Sequence, residues 1–427
     1  MTNLPKNWVE TTLSDVMEIY DSERKPVNSS EREKRISGKE KSELYPYYGA
    51  TGQVGYIDNY IFNDEFVLLG EDGAPFLEFL AKKAFIVRGK FWVNNHAHIL
   101  KSKTSNKFLC FFLNQFDYHN FVTGTTRYKL TQSDMCKIPI PLPPLAEQER
   151  IVVKIEELFA GIDAGVENLK SVKNQIALYR QSVLKSAFNN QTKKEMLKNF
   201  IIEINYGTSE KTNDDASGIP VLRMGDIQNG KLRFNKLKYL KKITDKKLLL
   251  QKGDLLFNRT NSAELVGKSA VFNSDFVCSF ASYLIKVRFS EKLNSDYVCF
   301  YINSPYGKAW AKTQLTQQVG QANINSQKLQ ALQIPVPTLA EQERIVAEIE
   351  SRFERADALE TAVDRALSNA EKLKQAVLKK AFSGELVPQN PDDEPASVLL
   401  DRIRAARASE LPAKKGKRKK TEVDSQL

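Results

Sequence analysis

The chain has 427 residues, of which 41% are hydrophobic and 27% charged. That length exceeds one ordinary domain, and that balance excludes disordered and fibrous classes. Its net charge of +11 favours a polyanionic partner such as nucleic acid, although six of the charges (Lys414, Lys415, Lys417, Arg418, Lys419 and Lys420) fall in a stretch that reads as a flexible tail. No apolar run approaches the roughly 20 residues of a membrane span, and Met1 to Trp8 lacks a signal-peptide core, so a cytoplasmic protein is expected.

Taken in chain order, residues 1–142 read as a first globular head, 143–190 as a helix, 191–336 as a second head, 337–384 as a second helix, and 385–427 as a closing segment with the basic tail. An internal repeat sets these bounds. IPLPPLAEQERIVVKIEELFAGIDA from Ile140 returns as IPVPTLAEQERIVAEIESRFERADA from Ile334, displaced by 194 residues. The similarity runs without a gap to QSVLKSAF at Gln181 and QAVLKKAF at Gln375, so each copy is one uninterrupted element.

Apolar residues at Ile151, Ile155, Leu158, Ile162, Val166, Leu169, Val172, Ile176, Tyr179 and Val183 step by three and four, as a helix requires. Their mean spacing near 3.5 is that of a seam between two long helices. The second copy offers Ile345, Ile349, Ala356, Val363, Ala366, Ala370, Leu373 and Val377 as the partner. Pro143, Pro144 and Pro337 stop the preceding strands, Thr338 with Glu341 reads as a capping box, and Ser383 with Gly384 closes the second helix. Some 40 helical residues make a rod of roughly 60 Å, which is a spacer. A seam alone fits a scaffold, but a head before each copy makes the chain a tandem duplication.

On these residues the chain resembles the specificity subunits of type I restriction-modification systems, in which two target recognition domains alternate with two helical regions. The openings PLPPLAEQERIV and PVPTLAEQERIV carry the likeness, with YYGATGQVGYID at Tyr47, GDLLFNRT at Gly253, QANIN at Gln321 and FSGELVPQNPDDEPASVLLDRI at Phe382. The resemblance implies antiparallel helices and heads that each read half of a split target in double-stranded DNA. It also implies two methyltransferase subunits held by the helices, adenine methylation, and cleavage when restriction subunits join. S-adenosylmethionine, ATP and Mg2+ would then sit on partner subunits and none on this chain. The fold expected is α+β, with two mixed sheet-containing domains.

The residues agree with a non-catalytic role. No NPPY-type methyltransferase motif or glycine-rich cofactor loop is found, and Asn390-Pro391 lacks the following aromatic that would stack on a flipped base. SAELVGKS at Ser262 has serine where a phosphate loop needs its first glycine. His96, His98 and Cys110 fit no standard zinc spacing, and Cys110, Cys136, Cys278 and Cys299 form no CxxC pair and are expected as buried thiols. An enzyme whose own head methylates or cuts DNA is the rival reading, and it would need those missing motifs.

For DNA contact, the run from Lys231 to Lys252 holds nine basic residues and one acid, Asp245, with Phe234 and Tyr239 interleaved. Within it Lys241, Lys242, Lys246 and Lys247 are the phosphate candidates. Base-reading candidates are Arg223, Arg259, Asn261, Gln318, Gln321 and Asn323 in the second head, since Arg suits guanine and Asn or Gln suits adenine. In the first head the candidates for DNA contact are Tyr48 and Thr51 in a loop, with Asn94 and Asn95 beside His96 in a polar cluster, then Arg127 and Lys129. Glu147 and Arg150, with their copies Glu341 and Arg344, are the candidates for holding a partner subunit, because polar residues are repeated there without change.

Overall fold

The computed structural model describes residues 4–79, 81–189, 193–243, 245–262, 265–318 and 321–410. The chain divides into two compact units, Met1–Asn168 with Ala366–Leu427, and Leu169–Arg365. Both repeat copies are single helices, Leu145–Ala187 and Leu339–Ser383. Each unit therefore contains a head and part of both helices.

In the first unit a four-stranded antiparallel sheet has the order Met17–Ile19, Ala97–Ser102, Phe66–Gly70, Ala84–Val87. By chain position that is 1-4-2-3. A second sheet pairs Tyr45–Gly49 with Gly52–Ile57 in a hairpin and, in parallel, with Lys90–Val93. Aromatic rings fill the space between them, with Phe62, Phe66, Phe85 and Phe91 all buried. Val9–Thr12 pairs with Pro139–Leu142, so the start of the head is tied to the residues that launch the long helix.

The second unit repeats this plan on a different sequence. Its antiparallel sheet runs Ile201–Tyr206, Leu284–Phe289, Asp254–Asn258, Ser269–Phe272, again 1-4-2-3. Ile219–Leu222 pairs in parallel with Ser279–Phe280, and Lys194–Met196 with Gln333–Pro335 closes the head. In each head a helix crosses the sheet, Asn106–Gln115 or Ser295–Asn303. Asn114 and Asn303 sit at matching places on these helices. Each accepts the backbone N–H that opens the edge strand (Ala84 or Ser269) and donates to that residue's carbonyl. Each donates also to the carbonyl of a cysteine four residues earlier, Cys110 or Cys299.

The helices run antiparallel within each unit. Lys374 meets Asp163 at 2.5 Å in the first. Lys173 meets Asp364 at 2.7 Å and Arg180 meets Asp357 at 2.6 Å in the second. Ile151, Ile155, Ile176, Val183, Ile345, Ile349, Ala356, Val363 and Val377 are buried as the seam requires. Tyr179 and Leu373 are not, being 44% and 53% exposed, and Arg180 takes the buried place next to Tyr179. A helix of 3.6 residues per turn drifts from a strict 3.5 repeat, which carries Tyr179 off the seam.

The capping box is half formed. Thr338 Oγ1 accepts from the Glu341 N–H, but the Glu341 carboxylate turns to Arg344. At the far end Gly384 adopts φ +79° and the Glu385 N–H reaches the Lys380 carbonyl, a glycine-terminated stop. Beyond it lies a helix not anticipated from the sequence, Ala396–Glu410, whose Ala396 and Leu400 join the first core. The lysine-rich stretch from Lys414 lies outside the described residues. Cys278 and Cys299 are buried, whereas Cys110 and Cys136 are only partly so.

Candidate nucleic-acid interface

In the first head the strand Phe66–Gly70 delivers Glu71, Asp72 and Gly73 into a loop, with Gly73 at φ +78°. The ribbon Val122–Thr123 with Lys129–Leu130 folds back on that loop, through Leu130 N–H to Glu71 O at 2.8 Å and Gly73 N–H to Tyr128 O at 2.9 Å. This closure gathers Thr51, Asn94, Arg127 and, unforeseen, Asp72 around one open cleft of about 680 Å3. Arg127 Nε lies 2.6 Å from Asp72 Oδ1, His96 Nδ1 is 3.5 Å from Asp72 Oδ2, and Lys129 Nζ is 3.7 Å from Glu71. The two basic candidates of this head are thus already opposed by acids.

Asn94 accepts from the His96 N–H, and Asn95 is exposed but does not line the cleft. The Tyr48 ring is turned inward, 5.9 Å from both Phe85 and Phe91, and burial raises the pKa of its phenol. Its backbone carbonyl still serves the site by accepting from Asn94 N–H. A tyrosine in an alternating strand must choose a face, and here the aromatic core takes it.

The second head builds the corresponding place. Strand Asp254–Asn258 delivers Arg259, and Ile324 N–H bonds to Arg259 O at 2.9 Å, the counterpart of Leu130 to Glu71. Thr260–Asn261 then pairs with Gln321–Asn323, which pairs in turn with Thr316–Gln318. Asn323 Nδ2 donates to Thr260 Oγ1 at 3.3 Å, and Asn261 Oδ1 accepts from Ser262 N–H. The Arg259 guanidinium stacks 4.7 Å over Tyr206 and reaches Ser282 O at 3.4 Å, while its Nε is buried without a partner among the described residues. Tyr206 and the neighbouring Tyr283, both exposed, escaped the sequence reading.

Arg223 belongs to a separate surface. It donates to Lys236 O and lies in a shallow cavity of about 520 Å3 with Asp226, Gln228, Arg233 and Asn235. The long basic run is divided too. Lys231 pairs with Asp357, Lys238 with Asp214 and Lys252 with Asp275. Lys241, Lys242, Lys246 and Lys247 are exposed, and no acid among the described residues opposes them at ion-pair distance. Buried Lys286 holds their loop from below, donating to the carbonyls of Lys247 and Leu249 and to Glu203.

Asp21, Glu71 and His98 lie close enough to suggest a metal site in the first head. Arg24 already bridges the two carboxylates, and both ring nitrogens of His98 are engaged, with Asp21 and with Leu130 O. The group is an ionic clamp under the cleft. The SAELVGKS segment leads from Gly267 into the strand Ser269–Phe272 and not into a helix, and the Ser269 hydroxyl bonds to Gly267 O, so it is no phosphate loop.

The family model described as the type I restriction modification DNA specificity domain matches residues 5–176 and again 181–368. The chain belongs to that family. It is similar to the type I restriction enzyme EcoKI specificity subunit of Escherichia coli, 30% identical over 312 residues that cover 66% of this chain and 67% of that one. It is likewise similar to the EcoBI specificity subunit of Escherichia coli, 29% identical over 321 residues with the same coverage. A structure solved in work on complex assembly and conformational transition of the type I R-M system shares its fold, with TM-score 0.68 at 20% identity over 90% of this chain and 100% of that one. As a type I specificity subunit the chain recognises DNA and does not catalyse. Among the described residues no helix is long and apolar enough to cross a membrane.

The subunit's repeated LAEQERIV openings have partly structural duties. Gln148 and Gln342 are buried, and each Nε2 donates to the carbonyl five residues back, Pro143 or Pro337. Glu147 and Arg150, expected to face a partner, are instead engaged inside the first unit. Glu147 is buried and accepts from Trp8 Nε1 at 3.0 Å and Gln389 Nε2 at 2.6 Å, and burial raises its pKa. Arg150 grips both oxygens of Asp393, at 2.5 and 3.3 Å. Their copies Glu341 and Arg344 are solvent-facing and pair with each other at 2.8 Å.

Proposed function

We propose that this specificity subunit reads a split target in double-stranded DNA, one half-site per head, through the places built around Asp72, Arg127, Thr51 and Asn94 in the first and Arg259, Asn261 and Asn323 in the second, the side chains of Gln318 and Gln321 lying outside the described residues. The observation that carries the reading is one scaffold used twice with different side chains. Both heads have the 1-4-2-3 sheet and the same backbone bond from a late ribbon to the loop after the central strand. One presents an acid-neutralised arginine there and the other an arginine with no carboxylate partner among the described residues. A shared scaffold with differing side chains is what specificity demands, since phosphate contacts position and base-edge contacts select.

Lys241, Lys242, Lys246 and Lys247 supply phosphate contacts for the second half-site. Two methyltransferase subunits dock along the helices, and the exposed apolar residues there support this: Val153 and Leu373 in the first unit, and Leu178, Tyr179 and Leu359 in the second. The partners carry S-adenosylmethionine, ATP and Mg2+, methylate adenine, and with restriction subunits cut unmodified DNA, all in the cytoplasm. Mapping methylated positions in cells that hold this chain and its methyltransferase tests the reading. Two short specified blocks separated by unspecified bases are expected, and a single continuous site would overturn it.

A further inference from the structure

One lysine of the shared scaffold is put to different uses in the two heads. Gly70 N–H bonds to Lys83 O at 2.9 Å and Asn258 N–H to Lys268 O at 2.8 Å, and the residues that follow, Ala84 and Ser269, are the ones held by Asn114 and Asn303. Lys83 and Lys268 are therefore counterparts. Lys83 is fully buried, and its ammonium donates to the carbonyls of Glu78, Phe79 and Asn114 at 2.5, 3.0 and 3.0 Å. Its charge is absorbed inside the fold.

In the second head the chain beyond Asn303 forms a further helix, Pro305–Gln314, which has no helical counterpart between Phe116 and Tyr128. This helix packs on the loop before Lys268, so closely that a Cβ on Gly267, at φ +88°, would lie 3.4 Å from Ala311 Cβ. It brings Lys308 and Lys312, one turn apart on a shared face, to Lys268. Lys268 and Lys308 line one cavity of about 290 Å3. Arg180 at the same cavity is matched by Asp357 and Glu360. The lysines are not: Lys308 Nζ has one neutral acceptor, Gln181 Oε1 at 2.8 Å, and no acid among the described residues lies at ion-pair distance from any of the three. Burial lowers the Lys308 pKa, and the charges of Lys268 and Lys312 lower it further, a repulsion that a bound anion relieves.

The cluster stands beside the reading place. Lys268 opens the edge strand Ser269–Phe272, the next strand in the sheet, Asp254–Asn258, ends at Arg259, and the helix with Lys308 and Lys312 runs into the ribbon strand Thr316–Gln318. Lys246–Leu248 lies instead against Ile201–Tyr206, the opposite edge. Three strand spacings separate these edges, about 14 Å, close to the roughly 12 Å width of the DNA major groove. We infer that Lys268, Lys308 and Lys312 form a second phosphate-binding face of the second head, across Arg259 from Lys241, Lys242, Lys246 and Lys247, so that the two lysine sets hold the two DNA strands bordering the groove that Arg259 enters. The first head has no such face at this place, since Lys83 is buried. The inference rests on the reading that the second head binds DNA at Arg259, and it adds where the backbone of the far strand lies.

The test uses the full chain, the duplex carrying its target as mapped by methylation, and an unrelated duplex of equal length. Changing Lys268, Lys308 and Lys312 to glutamine should lower the salt slope on both duplexes, by about one unit for each phosphate released, and leave base preference in place. Lys312→Gln alone should lower it by about one unit, and this exposed side chain has no partner among the described residues, so the fold is kept. Neutral methylphosphonate linkages placed singly along each strand locate the contacts. Those that cease to weaken binding in the triple variant should lie on one strand of the second half-site, and those that fall silent when Lys241 and Lys242 are changed should lie on the other. An unchanged slope in both variants, or silent linkages on one and the same strand or in the first half-site, overturns the inference. So does an unchanged slope together with loss of the methyltransferase on co-purification, which would give the face to an acidic protein partner. A wild-type chain with no preference for the mapped target sinks the reading of the head as well, whereas preference kept with the slope unchanged sinks this face alone.

Discussion

Arg127 Nε and Asp72 Oδ1 are 2.6 Å apart at the cleft of the first head, although 55 residues separate them in the chain. The pair makes each side chain a conditional reader of DNA. Asp72 with its arginine removed can accept from the amino group of cytosine, and Arg127 released from Asp72 can donate to guanine. Replacing Asp72 with asparagine should free Arg127, tighten binding to duplexes of any sequence, and steepen the salt dependence by about one unit. It should alter base preference in the first half-site alone. Binding series over single-base variants at several salt concentrations check this, and an unchanged salt slope would show that the pair is spectator to binding.

The four exposed lysines of the second head should behave as a group. Changing Lys241, Lys242, Lys246 and Lys247 to alanine should lower the salt slope, by about one unit for each phosphate no longer neutralised, and barely touch base preference. Changing Lys231, Lys238 and Lys252 provides the contrast, because Asp357, Asp214 and Asp275 already oppose them. The second set should flatten the slope less. Equal effects would mean that the ion pairs do not decide which lysines meet DNA.

Much of the architecture was legible because it was written in periodic and repeated residues. The ungapped repeat specified two long helices, and Pro143, Pro144 and Pro337 placed their starts. The shared topology of the heads was not read, yet a signal existed: CFFLN at Cys110 and CFYIN at Cys299 mark the two helices whose asparagines clamp the edge strands. A displacement of 189 residues instead of 194 hid it among diverged segments. Ion pairing was illegible in principle, since nothing near Arg127 in sequence announces Asp72, nor anything near Arg150 announces Asp393. Lysine runs likewise count charges without showing which are already matched.

The asparagine clamps should matter locally. Asn303→Ala leaves the Ser269 N–H without its side-chain partner at the sheet edge, while the Ser269 carbonyl keeps only Cys299 Sγ, and an orphaned buried group costs roughly 1–3 kcal/mol. Hydrogen exchange at Ser269–Phe272 should accelerate, with Ala84–Val87 of the first head unchanged. Asn114→Ala should give the mirror result. Acceleration in both heads from either change would contradict the independence of the two clamps.

Acid should release the closing segment in a predictable direction. The Arg150 guanidinium holds the Asp393 carboxyl below its usual range, so the folded value lies under the unfolded one near 3.9. Its contribution is therefore complete above about pH 3.9 and is lost as pH falls toward the folded value. Glu147, raised by burial, contributes with the opposite sign, present at low pH and lost as pH rises through its folded value. Asp393→Asn isolates the first effect. It should loosen residues 385–403 at neutral pH, seen as faster proteolysis there, and should remove the steepest part of the decline below about pH 4. Wild-type resistance to proteolysis in the Asp393→Asn chain would mean that Arg150 is dispensable for holding the segment.

Arg259 offers the sharpest assignment of one residue to one base. Its guanidinium carbon lies over the Tyr206 ring, 4.7 Å from the centroid, its backbone is fixed by Ile324 and Tyr283, and with Nε buried and Nη1 bonded to Ser282 O the remaining donors of the terminal nitrogens are the groups able to reach outward. A pre-ordered planar fork of this kind suits the O6 and N7 acceptors of guanine, and such a pair is worth roughly 1–3 kcal/mol of discrimination. Arg259→Lys keeps the charge and loses the fork, so it should retain most affinity for unrelated duplexes yet lose preference at one position of the second half-site. Tyr206→Phe should keep the ring under Arg259 and lose only the two bonds to Ser326, to its hydroxyl and from its N–H, with little change in preference, whereas Tyr206→Ala should approach the Arg259→Lys result. The readout is methylation or binding across single-base variants of the mapped target. If Arg259→Lys shifts preference in the first half-site, or at no position, then this arginine is not the guanine reader of the second head.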